Sequence, residues 1–423
     1  MWRVFGVLLL LLVMLLADPR PASAQAKEAE LRLGDLVAEA VRNNPELQAA
    51  QKRVEAARQK PRQEGALPDP MVSVGYASAG SPIPGSGIGR EPTANTGVMV
   101  TQELPYPGKR RLMAARAGKE ADAELQSYLT VERVVISRVK QAFHKLNHAY
   151  ENVEVMKRSQ DLLMKFVQLA EIRYAAGKAM QQDIFRAQTQ FALMETRIVK
   201  MQQDLAMAEA EINALVHRPI DARLARPAHL SPKQLDATLA ELTAEAEASS
   251  PQIAREQKMT EARQLGVSLA RKNYKPDFAV SGGYFYMGSM PDMYQFRLDI
   301  KLPAWRSKND AALTEQVQSL EQSRRTYQAM AHETRWKVNE QYIIAQTSWR
   351  LLQLFSDSVM PQTELATASS MASYESGAID SLQVLMNVMT RVEQEERYHE
   401  AMLNYFMALV RLEEITGMEL LSQ

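Results

Sequence analysis

The chain has 423 residues, enough for one elongated domain or for two or three ordinary ones. Its 50 basic and 50 acidic side chains balance, whereas nucleic-acid-binding proteins usually carry a basic excess, so no nucleic-acid partner is expected. It contains no cysteine, which excludes disulfides, thiolate metal sites and a cysteine nucleophile.

The N-terminus has the pattern of a secretory signal peptide. Arg3 supplies a positive charge, residues 4–17 are apolar, and the triplet at 22–24 is a small-residue cleavage site. The apolar run is short for a membrane-spanning helix and is broken at Asp18, which disfavours an uncleaved anchor. We therefore predict that residues 1–24 are a signal peptide. No later segment reaches the length of apolar sequence that a spanning helix needs, so a membrane crossing would have to use β-strands.

The rest of the sequence contains one pattern twice, about 200 residues apart. Each copy predicts a helix, a strand, a loop, a strand and two long helices joined by a turn. We place the first copy at 25–218, a connection at 219–250 and the second copy at 251–423. The matched segments, in order, are 36–40 with 242–246, Asn44-Pro45-Glu46-Leu47 with Ser250-Pro251-Gln252-Ile253, Pro68-Asp69 with Pro276-Asp277, Val72-Ser73-x-Gly75-Tyr76 with Val280-Ser281-x-Gly283-Tyr284, Leu104-Pro105 with Leu302-Pro303, and Tyr174-x-x-Gly177 with Tyr374-x-x-Gly377.

Each copy contains two short strands, predicted at 71–79 and 97–104 in the first copy and at 278–287 and 294–302 in the second. Each strand has about nine residues, the length that a tilted strand needs to cross a bilayer. Four strands cannot close a barrel, and an open sheet edge is unfavourable in lipid. Membrane strands would therefore have to be shared among protomers, and a trimer would supply twelve. The alternative is two soluble hairpins at the end of a helical bundle.

The segment 108–174 has no proline and predicts a helix about 100 Å long at about 1.5 Å per residue. From Leu125 to Tyr174 its apolar residues are spaced alternately three and four apart, which is a coiled-coil pattern. After a turn at 175–178, a second helix with the same spacing runs from Ile184 to Leu215. The short turn predicts that these two helices form an antiparallel hairpin.

The second hairpin, predicted at 309–374 and 380–417, has a more polar seam than the first. Pro361 lies inside its first helix and should bend it. We hypothesise that this hairpin binds its partner helices less tightly and is the movable one; a shifted register with ordinary packing is the alternative. The polar residues at seam positions are Gln353, Thr363, Ser370 and Arg391.

These features resemble the TolC-like outer-membrane efflux factor family. Besides the two repeats and the hairpin turns, the resemblance rests on N-N-P-E-L at 43–47 and on V-T-Q-E-L-P at 100–105, which leads into P-G-K-R at 107–110. It covers nearly the whole chain after the signal peptide. The short chain, the G-K-R motif and V-M-P-Q at 359–362 look most like the branch that serves heavy-metal efflux pumps.

The resemblance implies a mainly α-helical homotrimer with a small β part. Its long antiparallel coiled-coil helices would form an α-barrel continuous with a 12-stranded outer-membrane β-barrel, four strands from each protomer. The protein would lie in the outer membrane and extend into the periplasm. It would be the passive exit duct of a tripartite efflux system.

The partners implied are outer-membrane lipid, a periplasmic adaptor and an inner-membrane pump, of the RND type. Heavy-metal ions are one class of solute, and organic solutes or type I secretion substrates are alternatives on the same scaffold. A periplasmic coiled-coil scaffold protein is the alternative of another class.

The sequence shows no catalytic pattern, so we predict that the protein is not an enzyme, and we predict no cofactor and no metal site. His144 and His148 are four residues apart on one helix face, a spacing that can ligate a metal, but no third ligand is near them in sequence. A solvated or interhelical role is favoured for both.

The hairpin tips carry the candidate functional residues. Two glycines allow the tight turns, and neighbouring polar side chains are candidates for hydrogen bonds to the adaptor, although turn and helix-start chemistry accounts for them equally well. Some members of the family narrow the closed end with carboxylates, for which Glu364 and Glu375 are the nearest candidates here. The candidate docking residues are Gly177, Lys178, Gln181, Gln182, Asp183, Gly377, Asp380 and Ser381.

Overall fold

A computed structural model describes residues 30–80, 82–228 and 231–421. The predicted signal peptide at 1–24 lies outside these ranges. Two long helical hairpins pack side by side, and a four-stranded sheet lies at the end opposite their turns. Within the described ranges, no helix combines the length and the apolarity that crossing a membrane requires.

The first repeat follows the predicted order. Its long helix has 67 residues and spans about 100 Å, as the sequence predicted. Its elements are α1 (Leu33–Asn43), α2 (Pro45–Ala57), α3 (Lys60–Gly65), β1 (Met71–Ala77), β2 (Asn95–Leu104), α4 (Lys109–Ala175) and α5 (Gln181–Val216).

The second repeat has the same order, except that two helices rather than three precede its strands and its first long arm is interrupted. Its elements are α6 (Leu239–Ser249), α7 (Pro251–Lys272), β3 (Asp277–Tyr286), β4 (Met293–Lys301), α8 (Arg306–Leu354), a π-helical turn (Phe355–Val359), α9 (Met360–Ser376) and α10 (Ser381–Thr416).

The interruption lies just before Pro361, where the sequence predicted a bend. Proline has no N–H to donate, and in a regular helix its ring clashes with the carbonyl four residues earlier. The π-turn relieves this clash because the N–H of Met360 bonds to the carbonyl of Phe355, five residues earlier. Pro361 then lies in the first turn of α9, where its missing N–H is not needed.

In each repeat the first two helices, α1 and α2 or α6 and α7, are separated by a break, and the two breaks have the same chemistry. The side chain of Asn44 accepts backbone N–H bonds at the start of α2, and Ser250 does the same for α7. Pro45 and Pro251 follow as first helical residues, where proline is favoured. Asn44 also donates to the carbonyl of Leu215, near the end of α5, at 3.1 Å. This capping explains why the N-P and S-P pairs occur at equivalent places.

The predicted connection at 219–250 ends in a helix. Its irregular part pairs with the start of the described chain, since Leu31 and Pro227 form a parallel bridge. Thr238 and Glu241 then form a capping box that starts α6.

Within the part of the chain that the structure describes, three apolar clusters hold the helices together. In the first repeat, Leu36 and Ala40 of α1 pack with α4 and α5. Leu242 and Ala246 of α6 make the equivalent contacts with α8 and α10. The third cluster lies towards the hairpin turns and includes Phe166 with residues from both hairpins. The two hairpins therefore share one core near their tips.

The predicted seam of α4 is buried from Val135 to Ala170 at most of its positions, but the prediction for its last residue is wrong. Tyr174 is 46% exposed, whereas its counterpart Tyr374 is 2% exposed. Tyr374 belongs to the shared cluster and packs against Phe166, with ring centroids 5.1 Å apart. The helix α4 thus has a second buried face, which meets the second hairpin.

The four strands form one antiparallel sheet in the order β1-β2-β3-β4, and all four predicted strands are confirmed within two residues at each end. The even-numbered residues form an exposed apolar face that includes Val74, Phe296 and Leu298. The opposite face carries mainly polar and small side chains, together with Met71, Met99, Phe285 and Met293. On it the hydroxyl groups of Thr101 and Ser281 are buried and 2.9 Å apart, across the boundary between the repeats.

Candidate functional site at the hairpin tips

The first tip (173–183) and the second tip (373–383) turn with the same backbone pattern. Gly177 and Gly377 have φ angles of 68° and 88°, in the left-handed region that glycine adopts without strain. In the first tip the N–H of Lys178 bonds to the carbonyl of Arg173 at 2.8 Å, and the second tip contains the same bond at 2.8 Å. These bonds satisfy carbonyls at the helix ends. The turn-forming role predicted for both glycines is confirmed.

Asp183 connects the two tips. Its carboxylate accepts the N–H of Met180 at 3.3 Å at the start of α5, and it accepts the hydroxyl of Ser381 at 2.5 Å. Ser381 is fully buried, so the expectation that it is exposed to a partner is corrected: it attaches α10 to α5. Asp380 caps α10 by accepting the N–H of Gln383 at 3.0 Å.

Arg173 and Tyr374 make a second contact between the tips. The guanidinium carbon lies 4.4 Å from the ring centroid, and Arg173 also donates to the carbonyl of Lys178 at 3.0 Å. The buried hydroxyl of Tyr374 has no hydrogen-bond partner among the described residues. Burial and then the Asp183 carboxylate raise the pKa of this hydroxyl, with Arg173 acting in the opposite direction. The hydroxyl is therefore neutral at physiological pH.

Sequence reasoning missed the contact between Arg173 and Tyr374. One signal was present, because Arg173 directly precedes the repeated Tyr-x-x-Gly turn, whereas the second repeat has Ser373 at that position. Only one tip can therefore supply the cation.

The remaining docking candidates lie on an exposed surface at the end of the molecule. Several large apolar residues are also exposed there, among them Met180 and Phe185, which sequence reasoning missed. The assignment of this surface to a partner stays a prediction. Its exposed members from the predicted set are Gly177, Lys178, Gln181, Gln182, Gly377 and Asp380.

The two candidate gate residues, Glu364 and Glu375, are both exposed on the second hairpin. A carboxylate oxygen of Glu364 lies 3.7 Å from the guanidinium of Arg391, which also pairs with the buried Glu395 at 2.9 Å. Arg391 offsets part of the negative charge around Glu364. A gating role for these acids stays a prediction.

His144 packs between helices, as favoured from the sequence. Its ring stacks on Phe406 with centroids 4.5 Å apart, and both ring nitrogens are buried without a hydrogen-bond partner in the described part of the chain. Burial, with a smaller effect from Lys140, lowers the pKa of His144 to about 3. His148 bonds instead with Asn152 at 3.0 Å. The two rings therefore have separate environments.

Two long helical hairpins attached to a four-stranded sheet with an apolar outer face define a subunit of a TolC-like outer-membrane channel. The family model described as outer membrane efflux protein matches residues 36–216, which is the first repeat. The cobalt-zinc-cadmium resistance protein CzcC of Cupriavidus metallidurans is 22% identical over 344 residues, which cover 78% of each chain. The chain is therefore similar to outer membrane efflux proteins.

Solved structures share the fold. CusC superposes with a TM-score of 0.79 at 17% identity, over 92% of both chains. VceC of Vibrio cholerae superposes with a TM-score of 0.77 at 19% identity, over 91% of this chain and 96% of that one. The predicted fold class is confirmed. The protein is a component of an outer-membrane efflux channel that extends into the periplasm, and the family whose model matches its first repeat comprises channels rather than enzymes.

Proposed function

We propose that three copies of the chain form the exit duct of a tripartite efflux system. The tips receive a periplasmic adaptor, the adaptor connects the duct to an inner-membrane pump of the RND type, and solutes leave through the central bore. One observation carries this proposal: the apolar sheet and the exposed polar tips lie at opposite ends of helices about 100 Å long. Such a molecule has a membrane end and a docking end.

The exposed face of the sheet favours the duct over a periplasmic scaffold. Val74, Phe296 and Leu298 are 78%, 86% and 61% exposed on that face. A contiguous apolar surface of this kind is unfavourable in water and marks a lipid or protein interface. The strands β1 and β4 are the edges of the sheet, and lipid requires such edges to be paired. Shared strands from three protomers satisfy both requirements.

We assign heavy-metal ions as the transported solutes. Similarity to a relative named for cobalt, zinc and cadmium resistance supports this choice. Organic solutes are the competing class on this scaffold. A wide exit duct makes few specific contacts with what passes through it, so the pump decides the solute class and the complete system has to be assayed.

The docking surface is tested by changing the charges of two of its residues. The double variant Lys178→Glu with Gln182→Arg is expected to abolish both adaptor co-purification and the cobalt, zinc and cadmium resistance that the complete system confers. Both residues are exposed at the first tip. The matched control is Lys200→Glu, an exposed residue of the same helix α5 that lies about 30 Å from the tip. Both variants should be recovered as outer-membrane trimers.

Three outcomes separate the parts of this proposal. Normal adaptor capture and resistance in the tip variant would contradict the docking site. Loss of organic-solute export instead of metal resistance on deletion of the gene would contradict the solute class and leave the duct intact. A water-soluble monomer in the periplasm would contradict the duct and favour the scaffold.

A further inference from the structure

The two β-hairpins are related by fixed shifts in numbering. The repeated Pro-Asp pairs place Asp69 at the position of Asp277, 208 residues apart, for the strands β1 and β3. The repeated Leu-Pro pairs place Leu104 at the position of Leu302, 198 residues apart, for β2 and β4. These shifts come from the sequence alone and can be tested on the strand pairing.

The pairing inside each hairpin follows these shifts. In the first hairpin Met71 pairs with Thr101. Adding the two shifts to these residue numbers gives Ala279 and Asp299, and these two residues do pair in the second hairpin. The duplication has therefore preserved strand register to the residue. Any strand pair of one repeat predicts its counterpart in the other.

The pair β2–β3 has a counterpart that one chain cannot form. In this pair Thr101 lies opposite Ser281 at the boundary between the repeats. By the same shifts, the residue of β4 equivalent to Thr101 is Asp299, and the residue of β1 equivalent to Ser281 is Ser73. These two strands are the opposite edges of the sheet, so they can meet only between two copies of the chain.

We propose that β4 of one protomer pairs antiparallel with β1 of the next protomer, with Asp299 directly opposite Ser73. This register rests on the proposed function, because it presupposes that protomers share one barrel. It specifies how the barrel closes, since every other opposed pair at the boundary follows from this one.

The polarity of the strands independently excludes registers that differ from the proposed one by a single residue. Residues directly opposite each other in an antiparallel pair lie on the same face of the sheet, and a shift by one residue would move every apolar side chain of a strand to the other face. The proposed register keeps the apolar face continuous across the boundary, because it places Ile300 opposite Val72, Leu298 opposite Val74, and Phe296 opposite Tyr76.

The other face also matches in chemistry. Ser281 is 1% exposed and its hydroxyl meets that of Thr101, whereas the equivalent Ser73 is exposed on the edge of the sheet. In the proposed pairing the hydroxyl of Ser73 donates to the carboxylate of Asp299. Asp299 also accepts a bond from Arg297 at 2.9 Å. Gly75 lies opposite Arg297 and leaves space for that ion pair.

The register is tested by disulfide crosslinking in the full chain, which has no cysteine of its own. Opposed residues have Cα atoms about 4.5–5.5 Å apart, within the range of a disulfide, whereas a slip of two residues places them about 7–8 Å apart. The variant Ser73→Cys with Asp299→Cys is oxidised with copper phenanthroline in outer-membrane vesicles. The slipped controls combine Ser73→Cys with Arg297→Cys or with Lys301→Cys.

We expect the proposed pair to give about tenfold more covalent dimer and trimer than either slipped pair. The crosslink must join different chains, because three strand spacings separate β1 from β4 within one sheet, about 14 Å. The pair Val74→Cys with Leu298→Cys, on the apolar face, repeats the test without altering Asp299.

The outcomes distinguish the register from the shared barrel. Preferential crosslinking of a slipped pair, or no crosslinking of either proposed pair, in a chain that still forms trimers would overturn the register and leave the proposed function standing. A wild-type chain that forms no detergent-stable trimer would overturn both.

Discussion

Among single residues, His144 makes the stability of the protein depend on pH. Its pKa is about 3 in the folded chain, against about 6.5 in an unfolded one. Between these two pH values the unfolded state binds more protons than the folded state. The contribution of His144 to the free energy of unfolding is therefore fully present above pH 6.5 and is lost as the pH decreases towards 3. At pH 5 the expected loss of unfolding free energy is on the order of 2 kcal/mol for each protomer.

Replacing His144 with phenylalanine should remove this dependence. The new ring keeps the stacking on Phe406 and leaves no buried nitrogen unpaired. Thermal unfolding at pH 7.5 and pH 5 is the measurement, and the variant should lose less of its melting temperature than the wild type. The control is His332→Gln at an exposed histidine. Equal losses in His144→Phe and in the wild type would contradict the assignment.

Among the elements, the two hairpins are joined at their tips by the bond from Ser381 to Asp183. Ser381→Ala removes this bond, while Asp183 still accepts the N–H of Met180 at the start of α5. We expect a stability loss of about 1 kcal/mol and a larger single-channel conductance in planar bilayers, because the second hairpin then loses one of the two described polar contacts that hold it at the tip. Ser376→Ala is the control, since Ser376 bonds only within its own helix end. Conductance equal to that of the control would contradict the role of the bond.

The sequence could predict the elements because each depends on local periodicity. The alternating three- and four-residue spacing of apolar residues predicted the long helices, and Pro361 predicted a bend. The π-helical form of that bend was beyond the sequence, since it depends on how α8 and α9 are positioned by their neighbours. Tyr174 and Tyr374 occupy one motif, yet only Tyr374 is buried. Burial at the tips is decided by packing between the hairpins, and the same packing buries Ser381.

For the whole molecule, the repeats are equivalent at the sheet and different at the tips. Strand register is preserved between the repeats to the residue. At the tips, only the first repeat supplies the arginine and only the second supplies the buried tyrosine. In the proposed barrel, pairing with neighbours keeps the sheet regular, because each strand must form the same ladder all round it. The tips carry no such requirement, so the two hairpins have diverged where they contact each other.

Two matched variants in β4 test whether the apolar face of the sheet lies in lipid. Phe296→Arg places a charge on the exposed apolar face, which costs up to about 2–4 kcal/mol in each protomer at the middle of a bilayer. Gln295→Arg adds the same charge one residue away on the opposite face, towards the bore. We expect the first variant to lose outer-membrane trimer and the second to retain it, as measured by fractionation and size analysis in detergent. Equal trimer yields would mean that the apolar face is not in lipid, because the two variants add the same charge at neighbouring positions on opposite faces of the sheet.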